Sequence, residues 1–258
     1  MAREWDAEEY EELSAPQTRW GAEVLERLGA RGNEAAIDAG CGTGRVTELL
    51  LGKLPHGSVL AVDGSEAMVE AARRRFAGES RVRVERQDLL RLEVAEPVDL
   101  IFSTATFHWI EDHDRLFERL ARALKPGGRL VAQCGGEGNI SRATRATKDT
   151  MEEERFRKHF VGWEDDKNYA DPETTAKRLR AAGFEEIETW LHDETAAFDT
   201  VEELTRFLGT VVLGGHMRRL PEEEREPFAA GVAEKIVAVD GSPALDYVRL
   251  NMTARRSA

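Results

Sequence analysis

The sequence predicts an α/β fold, a mostly parallel sheet with helices on both faces. Short apolar or β-branched runs alternate with segments whose apolar residues recur three and four apart, and turn residues punctuate the junctions. Two further runs near the end alternate apolar and polar residues, as strands close to a sheet edge do. The 258 residues, 41% hydrophobic and 33% charged, hold enough apolar material for one core and argue against a disordered chain.

Taken in order, residues 7–28 carry helical spacing, with a break at about Ala15. Pro16 has no amide proton and disfavours a helical residue before it. The first strand is expected at 35–39, followed by a helix at 46–54, a strand at 58–62, a helix at 66–76 and strands at 82–86 and 98–103. A helix at 114–124 and a strand at 129–134 complete five strands, parallel because helical crossovers return the chain to the same end of the sheet. The runs at 184–195 and 245–254 are expected as a terminal antiparallel pair, giving seven strands with the last antiparallel. Residues 139–171 and 200–241 are charged with helical spacing and read as helical cap insertions over the binding edge. Residues 1–30 read as an N-terminal helical lid, so that 1–258 form a single domain. Glu222, Glu223 and Glu224 follow Pro221, which suits a first helical turn, where carboxylates meet the positive end of the dipole.

Charge and composition exclude several classes of function. With 36 basic and 49 acidic residues the net charge is -13, a field that repels a phosphate backbone, so a small molecule and not nucleic acid is the expected partner. No apolar run approaches the roughly 18 to 20 residues of a membrane span. The N-terminal Met-Ala-Arg-Glu-Trp-Asp is too acidic for a secretory signal, so a soluble, cytoplasmic protein without membrane contact is expected. Cys41 and Cys134 are too few for a disulfide framework or a thiolate metal site, and both are expected reduced.

The most informative segment is Ile37-Asp38-Ala39-Gly40-Cys41-Gly42-Thr43-Gly44-Arg45, which leaves a strand, turns on three glycines and enters a helix. Glycine allows positive φ and close approach of the backbone to a ligand. A loop in this position holds a nucleotide-like ligand, and a dinucleotide and S-adenosylmethionine compete for it. The dinucleotide fingerprint G-x-G-x-x-G is not met, since its third glycine falls on Arg45; G-x-G-x-G preceded by an acid stands instead. Asp63 ends the next strand and Asp88 follows the third.

This pattern, with the Leu124-Lys125-Pro126-Gly127-Gly128-Arg129-Leu130 turn, resembles the class I S-adenosylmethionine-dependent methyltransferases, whose sheet is Rossmann-like. The resemblance implies that Gly40, Gly42 and Gly44 wrap the methionine moiety and that Asp63 holds both ribose hydroxyls. Asp88 then accepts from the adenine amine, with Leu89 flanking it. Asp38, Gly64, Met68, Ser103 and Thr104 belong to the same expected cofactor site, and the product would be S-adenosylhomocysteine. A carboxylate at a strand end can accept two hydroxyl hydrogen bonds, which gives the Asp63 role an independent basis. Trp5-Asp6, Tyr10, the Ser14-Ala15 break and the run Ser103-Thr104-Ala105-Thr106-Phe107-His108-Trp109 are similar to the trans-aconitate methyltransferase family. Trp5 and Tyr10 then join the cofactor site. The His108-Trp109 step and Gln17 also resemble juvenile hormone acid methyltransferases; both families methylate carboxylates.

Methyl transfer from a sulfonium is an in-line displacement in which positioning supplies much of the catalysis. A carboxylate acceptor is already ionised and needs no base; for a hydroxyl or amine of a natural product, His108 is the best-placed base. Otherwise His108 is a hydrogen-bonded wall residue, the reading we favour. Gln17, His108 and Trp109 are the catalytic candidates, and Phe107 joins Trp109 in walling the pocket. An anionic substrate needs cations, for which Arg142, Arg145, His216, Arg218 and Arg219 are candidates in the insertions, with Trp163 and Tyr169 as cap aromatics. A methyltransferase acting on a carrier-bound malonyl ester, a non-catalytic cofactor-binding scaffold and a dinucleotide oxidoreductase are the alternatives. Methylation of nucleic acid lacks an Asp/Asn-Pro-Pro-Tyr step after the fourth strand, and arsenite methylation would need more thiols.

Overall fold

A computed structural model describes residues 15–165 and 167–258. Trp5, Tyr10 and the side chain of Gln17 lie outside the described residues. The chain begins with α1 (Ala15–Leu25), then β1 (Ala35–Ala39), α2 (Arg45–Lys53), β2 (Ser58–Asp63), α3 (Glu66–Arg75), β3 (Val82–Arg86) and β4 (Val98–Thr104). It continues through α4 (His113–Ala123), β5 (Leu124–Gly135), α5 (Ser141–Met151), α6 (Pro172–Ala181) and β6 (Phe184–Ala197). Two short helices, α7 (Val201–Phe207) and α8 (Gly214–Met217), the long α9 (Glu222–Asp240) and β7 (Ala244–Arg256) follow.

Local chemistry fixes the helix starts. The Ser65 hydroxyl accepts the Met68 amide at the start of α3, and the carboxylates of Asp112 and Asp171 accept the Arg115 and Thr174 amides at the starts of α4 and α6. Glu222, Glu223 and Glu224 occupy the first turn of α9, as their position after Pro221 implies.

The seven strands form one sheet in the order β3-β2-β1-β4-β5-β7-β6. β1 to β5 are parallel, and β7 runs antiparallel to both β5 and β6, between which it lies. β5 starts at Leu124, five residues before the expected 129. Leu124 pairs with Val98, the register then shifts, and Arg129 pairs with Leu100. Gly127 at φ 73° lets the chain leave the ladder there, and Gly128 passes where a Cβ would lie 2.8 Å from the Lys125 carbonyl.

Strand alternation sends Ile37, Ile101, Leu130 and Leu250 to one face, against Leu116, Phe117 and Leu120 of α4 and Leu179 of α6. Ala36, Leu100, Phe102 and Val131 go to the other, against Val24 and Leu25 of α1 and Leu50 and Leu51 of α2. A third apolar cluster joins Ala143 and Ala146 of α5, Leu204 and Phe207 of α7, and Phe228 and Val232 of α9. Trp20 and Tyr247 tie that helical layer to α1 and β7. Among the described residues no helix is long and apolar enough to cross a membrane.

Candidate active site

The strand order reverses between β1 and β4, and there the carboxyl ends of the parallel strands open into a cavity of about 300 Å³. Gly40, Gly42, Asp63, Met68, Asp88 and Leu89 line one part of it. His108, Trp109, Lys167, Tyr169, Tyr247 and Arg249 line another.

The glycine loop is held from below. The amides of Gly40 and Cys41 both donate to the Val62 carbonyl, at 2.8 and 2.9 Å. A Cβ on Gly40 would lie 2.1 Å from Thr106 Oγ1, so packing within the protein demands glycine there. Gly42, at φ 54°, has nothing within 4 Å of that position: it is a cradle open to the cavity. Gly44, also in the left-handed region, precedes the first turn of α2 and does not line the cavity.

Asp63 reaches back from the end of β2 to this loop. Its Oδ2 accepts the Gly42 amide and its Oδ1 the Ser65 amide, both at 2.9 Å. Each carboxylate oxygen has a second lone pair, so capacity for hydroxyl donors remains. Asp88 Oδ1 accepts the Leu90 amide at 2.9 Å, capping the short 3-10 helix Leu89–Arg91. Asp38 is buried off the cavity wall and accepts the Thr47 hydroxyl at 2.6 Å; burial pushes its carboxyl up to about 7. Ser103 is also buried off the wall, where its hydroxyl donates to the Ala39 carbonyl at 2.6 Å and ties β4 to β1. Gly64 and Thr104 line the cavity.

Two of the three non-glycine residues with positive φ among those described, Ala105 at 55° and Ile140 at 47°, also line it. Left-handed backbone at a β-branched residue costs on the order of 1–2 kcal/mol, and such strain concentrates where a site fixes the chain. The π-helix Leu208–Val212 contributes Val211 and Val212.

His108 is 7% exposed, and its Nδ1 accepts the Gly135 amide at 3.3 Å. The ring is stacked on Tyr169, centroids 5.8 Å apart, and tilted against Trp109 at 4.7 Å. The segment that supplies Lys167 and Tyr169 is stitched to this strand end. The Asn168 amide donates to the His108 carbonyl at 2.9 Å and its side-chain amide to the Glu111 carbonyl at 2.9 Å.

The substrate candidates from the sequence do not line the cavity. Phe107 is buried in the sheet core, edge-to-face with Phe117. Arg142 and Arg145 sit on the exposed face of α5, Arg142 3.8 Å from Asp246, and Arg218 and Arg219 are exposed. Trp163 and His216 pack edge-to-face at 4.6 Å within the helical layer. Of the cap aromatics, Tyr169 lines the cavity and Trp163 does not.

Lys167, Asn139, Tyr247 and Arg249 line the cavity without having been foreseen. For Arg249 a signal was present: in the alternating run of β7 it shares parity with Leu245 and Tyr247, an inward charge among apolar positions.

The profile of a methyltransferase domain family matches residues 36–128, the segment from β1 into the start of β5. The trans-aconitate 2-methyltransferase of Methylobacterium nodulans is 32% identical, covering 98% of this chain and 99% of its own. The chain belongs to the trans-aconitate 2-methyltransferase family. That of Sinorhizobium fredii is 30% identical over the same shares. Among solved structures, Haemonchus contortus phosphoethanolamine N-methyltransferase 2, in complex with phosphomonomethylethanolamine and S-adenosylhomocysteine, shares the fold. Its TM-score is 0.63 at 20% identity, covering 98% of this chain and 57% of that one. The chain is therefore an S-adenosylmethionine-dependent methyltransferase. The residues present fit that cofactor by their chemistry. The open cradle at Gly42 admits a ligand against the backbone, Asp63 and Asp88 offer acceptors at successive strand ends, and Met68 and Leu89 offer apolar surface.

Proposed function

We propose that this member of the family methylates a carboxylate oxygen of a small polycarboxylate, with trans-aconitate, named for its relatives, as the leading acceptor. The hydrogen bond to His108 carries this reading. With Nδ1 accepting the Gly135 amide, the neutral ring bears its proton on Nε2 and acts as a donor. A hydroxyl or amine acceptor would need a base; a carboxylate, with a reference pKa of roughly 4, is already ionised and needs orientation.

When bound, S-adenosylmethionine supplies an electrophilic methyl group on a sulfonium. We assign the chain's residues these roles: Gly40 and Gly42 bring backbone against the cofactor, Asp63 accepts from its ribose hydroxyls, and Asp88 accepts from its adenine amine. Met68 and Leu89 flank the base. Asp38, Gly44 and Ser103 hold the loop and strand ends in place without lining the cavity, while Trp109 and Tyr169 exclude water around His108. Residues 139–171 and 200–241 act as cap insertions of a single domain. The net charge of -13 supports a small acceptor over nucleic acid, and the two buried free thiols, Cys41 and Cys134, suit a reducing cytoplasm.

The test is methyl transfer to trans-aconitate and to hydroxyl- and amine-bearing acceptors of similar size, followed by formation of S-adenosylhomocysteine and identification of the product. A base-labile methyl ester is expected. Methylation confined to hydroxyl or amine acceptors would overturn the reading.

A further inference from the structure

The cavity lining carries both signs of charge. Asp63 and Asp88 line it at the ends of β2 and β3 and Glu111 just beyond Trp109, whereas Lys167 and Arg249 are the Lys and Arg side chains in its lining, in a chain of net charge -13. The two cations differ in kind. Lys167 is ion-paired with Asp165 and lies over the Trp109 ring at 5.4 Å. Arg249 is 2% exposed and opposes Gly135, the last residue of β5, so it enters at the carboxyl edge of the sheet.

A buried chain of amides sets the Arg249 guanidinium. Its Nε donates to Gln133 Oε1 at 3.3 Å, and Gln133 Nε2 donates to Asn251 Oδ1 at 2.9 Å. Asn251 Oδ1 also accepts from Arg27, and Asn251 Nδ2 donates to the Arg249 carbonyl at 3.2 Å. Gln133 and Asn251 are direct cross-strand partners, so each amide has one orientation that satisfies its neighbours. The guanidinium also lies 4.8 Å over the Trp20 ring and 5.9 Å from that of Tyr247. Burying a guanidinium costs several kcal/mol, and its planar fork matches a carboxylate with two parallel hydrogen bonds.

We propose that Arg249 is the anion anchor of the acceptor site: it grips a substrate carboxylate other than the one being methylated, and so selects acids with at least two carboxylates. The proposal rests on the carboxylate reading above and goes beyond it by naming the selecting residue.

The experiment compares kcat/KM for trans-aconitate and for crotonate, a monocarboxylate, in the wild-type enzyme, Arg249→Gln and Arg249→Lys. Calorimetry with S-adenosylhomocysteine reports on the cofactor half. The wild-type enzyme is expected to prefer the tricarboxylate by roughly 10- to 100-fold, the scale of a charged hydrogen bond. In Arg249→Gln the preference falls to about threefold or less, mainly through KM, while affinity for S-adenosylhomocysteine stays within about twofold. Arg249→Lys keeps the charge without the fork and falls between; if the Gln variant does not bind S-adenosylhomocysteine, the Lys variant decides, with a preference cut at least about twofold from the wild-type value. A variant that binds S-adenosylhomocysteine normally and keeps the wild-type preference overturns the anchor. So does a wild-type enzyme that methylates crotonate as well as trans-aconitate, and this leaves the carboxylate reading standing. A wild-type enzyme that methylates no carboxylic acid overturns both.

Discussion

Asp63 Oδ2 accepts the Gly42 amide at 2.9 Å, so the end of β2 and the open cradle of the glycine loop form one unit. Asp63→Ala removes that support together with the acceptor for the cofactor, and affinity for S-adenosylhomocysteine should fall about 10- to 100-fold. Asp63→Asn keeps one acceptor oxygen and should lose less. Titration calorimetry measures both, and wild-type affinity in the Ala variant would remove Asp63 from the site.

Gly40 and Gly42 should separate stability from binding. A methyl group at Gly40 meets Thr106 at 2.1 Å, so Gly40→Ala should lower the melting temperature sharply, by the equivalent of about 3 kcal/mol from strain and overpacking. At Gly42 the same group meets nothing within 4 Å, so Gly42→Ala should cost about 1 kcal/mol of stability yet weaken S-adenosylhomocysteine binding by filling the cradle. Equal losses of stability in the two variants would contradict this division.

His108→Gln preserves an acceptor for the Gly135 amide and a donor towards the cavity. Turnover should stay within about tenfold of wild type and remain flat from about pH 6 to 8, whereas loss of a general base costs roughly 100- to 10,000-fold. A loss on that larger scale, with a wild-type profile that rises through an imidazole pKa, would make His108 a base.

The Asp38 carboxyl, raised by burial to about 7, gives the ligand-free protein a pH-dependent stability. Its unfolded pKa is roughly 3.9, so the folded state binds the proton more tightly. The contribution is fully present below about pH 4 and is lost as pH rises through about 7, at about 1.4 kcal/mol per unit across that window. Asn at this position keeps an acceptor for Thr47 without ionising, so Asp38→Asn should match wild type near pH 4 and exceed it by a few kcal/mol at pH 8. Urea unfolding at several pH values checks this; a difference that does not vary with pH would refute it.

The part of the cavity lined by Gly40, Gly42, Asp63 and Asp88 was legible in the sequence because these residues are set by local order. Gly40, Gly42, Asp63 and Asp88 each sit at or just beyond the carboxyl end of a strand, and parallel strands bring those ends to one edge regardless of what the rest of the chain does. The part lined by Arg249 and Lys167 depends on register. Arg249 reaches the cavity because β7 slots between β5 and β6 and pairs with Gly135, and Lys167 because Asn168 is bonded to the strand end at His108. Neither relationship is encoded by spacing. Arg142, Arg145 and Arg218 drew notice as charges in the insertions, but helical spacing with charge on one face describes a solvated surface equally well, and that is where they sit. His108 and Tyr169 were visible as aromatic-rich positions; their stacking was not.

The placement of β7 also governs the order in which the molecule can mature. Arg249 and Gln133 are 116 residues apart in the chain, yet their contact helps build the acceptor site. Closing a loop of that length costs roughly 4 kcal/mol of chain entropy, and contacts so distant in sequence slow folding. During synthesis the strands around the glycine loop can pair long before β7 emerges, while β5 waits with an open edge and β6 has no partner in the sheet. The strand ends around the glycine loop can thus be assembled well before Arg249 is available to complete the cavity.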